Sequence, residues 1–117
     1  MHVVIFEVWP AGGRRDDYLA AAAALREELE TQPGFITVER FESLNNPGKI
    51  LSLSFWESEE AIANWRGHGG HRRAQLRGRA SLFRDYRLRV AEIMRDYTKT
   101  ERRDQAPADS RQAHETG

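Results

Sequence analysis

The sequence predicts an α+β fold in which four strands and two helices follow the order β-α-β-β-α-β. Three observations predict it: β-branched and aromatic runs between turn residues, two segments with apolar residues at helical spacing, and a length of 117 residues. That length is enough for a single domain with a modest core.

The first half of the chain predicts a strand, a helix and a second strand. β-Branched and aromatic residues fill 2–9, so this segment is predicted to be a strand, and the sequence PAGG ends it. In 15–31 apolar residues recur at helical spacing, and QPG at 32–34 ends the predicted helix. The segment FITVERFESL at 35–44 is the second predicted strand.

The next segments predict a hairpin and a short helix. NNPG at 45–48 has the composition of a turn, and KILSLSFWE at 49–57 is the third predicted strand. Ser58 is placed to cap the helix that follows. The glycines between 67 and 70 predict a kink, and a second helical piece is expected over 71–78.

The last predicted strand lies within 81–97, and it completes a ferredoxin-like order with an antiparallel sheet. Residues 1–98 are therefore predicted to be the folded domain. The remainder, 99–117, is polar and poor in apolar residues, which is typical of a mobile tail unless a neighbouring chain holds it.

The predicted strands are apolar on both of their faces. The opposed sets are Val3 and Ile5 against Val4, Phe6 and Val8; Leu51, Leu53 and Phe55 against Ile50 and Trp56; and Phe35 and Phe41 against Ile36 and Val38. Two helices can cover only one face of a four-stranded sheet, and a sheet with one wet face would alternate apolar and polar residues. We therefore expect a homodimer through the open sheet face.

Composition excludes several other classes of protein. The chain has no cysteine, which excludes disulfides, thiolate metal sites and a cysteine nucleophile, and its formal net charge is zero. Eight arginines face one acid, Asp85, between 66 and 89, but stacking aromatics are not interleaved with them, so we do not expect nucleic-acid binding. No apolar run is long enough to span a bilayer and the start lacks a signal-peptide pattern, so we expect a cytoplasmic protein without a membrane partner.

The segment 54–97, SFWESEEAIANWRGHGGHRRAQLRGRASLFRDYRLRVAEIMRDY, resembles the antibiotic biosynthesis monooxygenase family, and QPGFITVERFES at 32–43 fits the same pattern. The resemblance covers about residues 2–97. It implies a dimeric α+β barrel with a pocket between helices and sheet in each subunit. It also implies oxidation of an electron-rich aromatic or enolisable small molecule by dioxygen, without a metal or flavin cofactor.

Two other functions stay open within this resemblance. One is a haem-binding or haem-degrading protein in which His68 or His71 is the axial ligand. Haem-degrading members also need an asparagine on the first strand and a histidine ten residues after the pocket tryptophan, whereas this chain has no asparagine before Asn45 and has Gln75 at the second position. The other is a dimeric ligand-binding module without catalytic activity.

The resemblance implies a set of site residues. Trp65 matches the family's pocket tryptophan, where it would stack on a flat ligand, although it would equally serve as core filler. His71 is the candidate catalytic base, because histidine is the side chain type that ordinarily titrates near neutrality. The candidate substrate-binding residues are Tyr86, Arg87, His68 and Gln75.

Three of these candidates also have structural interpretations. His68 and His71 have the i, i+3 spacing of a metal pair, but no third ligand is evident and a polar or interface role is expected instead. Arg87 or its neighbour Arg89, if directed inward, would need an anionic partner, either a substrate enolate or a carboxylate such as Glu39 or Glu7.

Overall fold

The computed structural model describes residues 1–68 and 82–109, and it confirms the predicted α+β, ferredoxin-like fold. The elements are β1 (His2–Pro10), α1 (Arg15–Glu30), β2 (Phe35–Glu42), β3 (Ile50–Trp56), α2 (Glu59–Arg66) and β4 (Phe83–Glu92). The strands form one sheet in the order β2-β3-β1-β4, and every neighbouring pair is antiparallel. The helical piece predicted over 71–78 lies outside the described residues.

Local sequence signals start α2 and stabilise both helices. The Ser58 hydroxyl accepts a hydrogen bond from the Ala61 backbone N–H at 3.1 Å, as the predicted N-cap requires. Asp16 and Asp17 in α1 and two glutamates in α2 place negative charge in the first turn, where the helix dipole favours it. In α1 the five consecutive alanines at 20–24 add high helix propensity.

The core lies on the face of the sheet that the helices cover. It consists of two clusters of buried residues, one towards the end of α1 and α2 and the other towards the start of α1. The first cluster contains Leu29, Val38, Trp56, Ala61, Ile62 and Trp65, and the second contains Val8, Tyr18 and Ile50. The two clusters leave a space between them under α1.

A bulge near the start of β2 corrects one predicted face assignment. Phe35 pairs with Trp56 but Thr37 pairs with Phe55, so the register shifts by one residue between them. Phe35 consequently packs against the first core cluster on the helix side, whereas Phe41 lies opposite Leu51 on the open side. The prediction that these two phenylalanines share a face is wrong, because strict alternation fails across a bulge.

The described part of the C-terminal segment folds back on itself. The Gln105 side chain accepts a hydrogen bond from the Asp96 backbone N–H at 2.8 Å, and Arg103 donates one to the Thr98 carbonyl at 2.8 Å. Arg103 also lies over the Tyr97 ring, and Ala106 is 3% exposed. Contacts within the same chain thus join residues 96–106, which include the first part of the predicted tail.

Candidate functional site

A cavity of about 470 Å³ lies between α1, α2 and the helix-covered face of the sheet. Residues from both core clusters line it, together with half-exposed residues of β4. Its size falls within the range of small-molecule sites, roughly 300–1,000 Å³. Apolar side chains make most of its wall, so the cavity suits a ligand with an apolar body.

Trp65, a candidate site residue from the sequence, is among the residues that line this cavity. It lies near the end of α2, is 8% exposed, and packs in the first core cluster with Ile62. Trp65 therefore serves both as core filler and as a cavity wall, and the two interpretations of this residue are compatible.

His68 lies behind Trp65 and does not line the cavity. Its ring stacks on the Trp65 indole, with the ring centroids 5.4 Å apart and the planes at 22°. Its Nδ1 lies 3.3 Å from the Glu28 carboxylate, although the two groups are not aligned as a hydrogen bond. His68 thus contacts Trp65 and is not among the residues that line the cavity. A ligand in the cavity would therefore contact Trp65 and not His68.

Tyr86 lines the cavity from β4, opposite Val8 of β1. Its ring centroid is 5.7 Å from that of Phe6 and 6.1 Å from that of Phe83, so aromatic side chains surround one end of the cavity. Tyr86 is 38% exposed, so part of its side chain faces the open end of the cavity wall on β4.

Arg87 lies on the opposite side of the sheet from Tyr86, which corrects its grouping with the other candidates. Successive side chains of a strand point to opposite faces, and Arg87 is directly opposite Glu7 of β1 on the open face. The structure therefore separates Arg87 from the cavity.

Glu7 has the cationic partners that its place in an apolar strand predicts. Its carboxylate lies 3.2 Å from Lys49 Nζ and 3.4 Å from Arg89 Nη1. The hydrogen bond from Lys49 and the nearby positive charges of Lys49, Arg89 and Arg87 hold the pKa of Glu7 below its usual range. This cluster occupies the open sheet face, away from the cavity.

His71 and Gln75 lie outside the described residues. The candidate catalytic base and one candidate substrate-binding residue thus remain predictions from the sequence. Of the six candidate residues, the structure places Trp65 and Tyr86 in one cavity.

Two arginines in the cavity wall were not singled out from the sequence. Arg40 of β2 and Arg66 of α2 both line the cavity, and Ser52 of β3 lies directly opposite Arg40. The signal for Arg40 was present in the sequence, because it stands two residues after the inward Val38 and therefore on the same face. A charged residue at an inward strand position indicates a partner or a ligand.

Residues 1–68 and 82–109 contain no group of three or more His, Cys, Asp or Glu side chains that could hold a metal ion. Within the same residues, no helix combines the length and the apolar character that crossing a membrane requires.

Comparison with solved structures gives the same fold. Rv0793 from Mycobacterium tuberculosis superposes with a TM-score of 0.74 over 83% of this chain and 98% of that chain, at 18% identity. PA3566 from Pseudomonas aeruginosa gives a TM-score of 0.69 over 80% of this chain and 93% of that chain, at 13% identity. At these identities the likeness concerns the fold alone.

Comparison of sequences identifies closer relatives. The jasmonate monooxygenase ABM of Pyricularia oryzae is 45% identical over 93 residues, which are 80% of this chain and 43% of the fungal protein. The uncharacterized protein YqjZ of Bacillus subtilis is 38% identical over 64 residues, which are 55% of this chain and 54% of that protein. The chain spans about half the length of these curated relatives.

The sequence profile described as antibiotic biosynthesis monooxygenase matches residues 1–77, about two thirds of the chain. This match agrees with the resemblance over 54–97 and 32–43 and with the fold of the solved structures. The chain belongs to the antibiotic biosynthesis monooxygenase family.

Proposed function

We propose that this protein is a monooxygenase that oxidises an electron-rich aromatic or enolisable small molecule with dioxygen, without a metal or flavin cofactor. The observation that carries the proposal is the apolar cavity of about 470 Å³ with Trp65 and Tyr86 in its wall. Family membership and the name of the fungal relative support the class of reaction.

The proposed reaction converts an activated CH₂ group into a carbonyl. Removal of one proton gives the enolate or phenolate, which donates electrons to dioxygen and forms a carbon–oxygen bond. One oxygen atom stays in the product as C=O, and the other leaves with the two hydrogens as water. The substrate itself supplies all four electrons, so the step needs no further reductant.

Each residue in the proposal has one task. Trp65 offers a flat apolar wall against which the substrate ring lies. The Tyr86 phenol donates a hydrogen bond to the substrate oxygen, where negative charge develops when the proton leaves. His71 is the proposed base that accepts the proton, and this assignment comes from the sequence.

The test is oxygen uptake by the purified protein, with metals chelated, on a panel of anthrones and other ketones that carry an activated CH₂ group. Jasmonate joins the panel because the fungal relative is named for it. We expect Tyr86→Phe to lower kcat/KM about tenfold or more, since it removes a hydrogen bond that strengthens in the transition state.

Tyr97→Phe is the matched control, because it removes the same hydroxyl group outside the cavity, where Tyr97 contacts Arg103. Trp65→Phe keeps an aromatic side chain in the core and should raise KM. His71→Gln should abolish the dependence of kcat/KM on a group that titrates near neutrality. Absence of oxygen uptake across the panel, or equal rates in all these variants, would contradict the proposal.

We also infer that two copies of the chain pair through the open sheet face. Leu51, Leu53 and Phe55 of β3 lie on that face half-buried, and Phe41 is 43% exposed. A second copy is the simplest cover for such a face, because twofold homodimers are the commonest oligomers. The proposal concerns assembly only, since the cavity lies on the other side of the sheet.

A further inference from the structure

Arg40 is a cationic side chain in a mostly apolar cavity wall. It lies near the end of β2 on the helix-covered face, directly opposite Ser52. The residue is half-buried, and its Nε atom is fully buried without a hydrogen-bond acceptor. A buried donor without a partner costs free energy, so an acceptor brought by a ligand would be favoured at this position.

The surrounding acids do not supply that acceptor. Glu42, two residues further along the same face, is engaged by Arg15 at 3.2 Å, and Glu39 lies on the opposite face. Among residues 1–68 and 82–109, no carboxylate lies within ion-pair distance of Arg40. The segment 69–81 contains no aspartate or glutamate at all, so it has no carboxylate to offer.

The cavity as a whole carries positive charge. Arg40 and Arg66 line it, and none of the described residues in its wall is acidic. Arg66 is exposed at the end of α2, whereas Arg40 is half-buried in the sheet, so the field of Arg40 is less screened by water. An anion entering the cavity would therefore gain most from Arg40.

We propose that Arg40 binds the carboxylate of an apolar organic acid, and that the cavity selects anionic over neutral ligands of the same shape. The planar guanidinium fork matches a carboxylate in geometry, and the apolar wall suits the body of the acid. This inference deepens the proposed function, because it takes the same cavity as the substrate site and names the class of substrate.

The test is binding of an acid and its neutral ester, measured by isothermal titration calorimetry. The probes are 2-naphthylacetate and its methyl ester, which share an aromatic body and differ in charge. We expect the acid to bind tighter than the ester by about tenfold to a hundredfold, as a charge-assisted hydrogen bond allows. Arg40→Met should remove that preference while leaving ester affinity within about twofold.

Three variants make the result specific to Arg40. Arg40→Lys keeps the charge but loses the fork, and it should recover part of the preference. Arg26→Met removes one positive charge from the exposed side of α1, where Arg26 pairs with Glu30, and it should leave the preference intact. Far-UV circular dichroism and thermal unfolding establish that each variant is folded before binding is compared.

Equal affinity for acid and ester in the wild-type protein would overturn the proposal. A larger loss of acid affinity in Arg66→Met than in Arg40→Met would also overturn it, because the anchor would then be Arg66. Acid-selective binding without oxygen uptake would support Arg40 and count against the monooxygenase. Turnover of neutral substrates without a preference for acids would support the monooxygenase and contradict the proposed role of Arg40.

Discussion

Glu7 is an acid inside an apolar strand, and its environment shows how single residues adjust to the sheet. Lys49 and Arg89 contact its carboxylate, and Lys49 also lies 4.9 Å from the centre of the Trp9 ring. The lowered pKa means that the folded state favours the ionised form of Glu7 more than the unfolded state does.

The direction of that pKa shift predicts a pH dependence of stability. A carboxyl whose pKa is lowered from 4.5 stabilises the fold above that pH, and the contribution is lost as the pH falls through the lowered pKa. We expect Glu7→Gln to lower the free energy of unfolding at pH 7, and the difference from wild type to shrink below pH 4.5. Urea unfolding at a series of pH values measures it, with the exposed Glu27→Gln as control. A difference that does not vary with pH would contradict this account.

Arg40 and Glu7 differ in their charged neighbours. Both Arg40 and Glu7 are half-buried charged residues in strands that carry apolar neighbours, but Glu7 has two cations beside it, whereas no described carboxylate pairs with Arg40. The same sequence signal thus corresponds to an ion-pair cluster on one face and to a candidate ligand contact on the other. Only the neighbours across the sheet distinguish the two cases.

Among the elements, the link between α1 and β2 is constrained at Gly34 by a close approach to α2. Gly34 has a φ of +83°, and its carbonyl accepts a hydrogen bond from the Glu57 backbone N–H at 2.7 Å. A Cβ atom at this position would lie 2.6 Å from the Ala61 Cβ of α2. Gly34 therefore lets this link pass close to the helix that carries Trp65.

We predict that Gly34→Ala lowers the free energy of unfolding more than Gly→Ala does at a position that has a positive φ but no steric clash. The clash with Ala61 adds about 1–3 kcal/mol to the left-handed penalty of about 1–2 kcal/mol. Gly13→Ala is the matched control, because Gly13 has a φ of +74° and its Cβ would meet nothing within 4 Å. Chemical denaturation measures both, and equal losses in the two variants would show that the contact with α2 is unimportant.

The bulge in β2 determines which side chains of this strand face the helices. It places Phe35 and Val38 together under α2 and leaves Phe41 on the open face. Beyond the bulge the alternation is regular, and this brings Arg40 to the cavity side. One irregular residue near the start of a strand thus decides which of its later side chains meet the ligand cavity.

At the scale of the whole molecule, the sheet has one face beneath the helices and one that carries apolar side chains around the Glu7 cluster. Phe41 and the apolar residues of β3 make this open face a candidate interface between two copies. The cavity and the open face lie on opposite sides of one sheet, so ligand binding and assembly are separable by mutation.

We predict that Phe41→Glu shifts the protein towards monomer at micromolar concentration, because it places a charge within the proposed interface. Phe41 is 43% exposed in the single chain, so the variant should still fold. Ala20→Glu is the control, since it adds the same charge on the exposed side of α1, away from the open face. Sedimentation velocity measures the outcome. A wild-type protein that is monomeric and folded would contradict the proposed dimer.

The amino-acid sequence by itself determined the fold class, the order and type of the described elements, the cap at Ser58 and the inward position of Trp65. These features depend on local chemistry and on the periods of helix and strand, which are readable along the chain. It also carried the family resemblance, because that rests on residues in order.

Only the tertiary structure decided which side chains share a space. It placed Trp65 and Tyr86 around one cavity with Arg40, showed that the face with Arg87 is the one away from the cavity, stacked His68 on Trp65, and set Phe35 and Phe41 apart. The physical reason is that a cavity forms where elements distant in sequence pack imperfectly against one another. A bulge of one residue or the length of a neighbouring helix changes that packing without any local signal in the sequence.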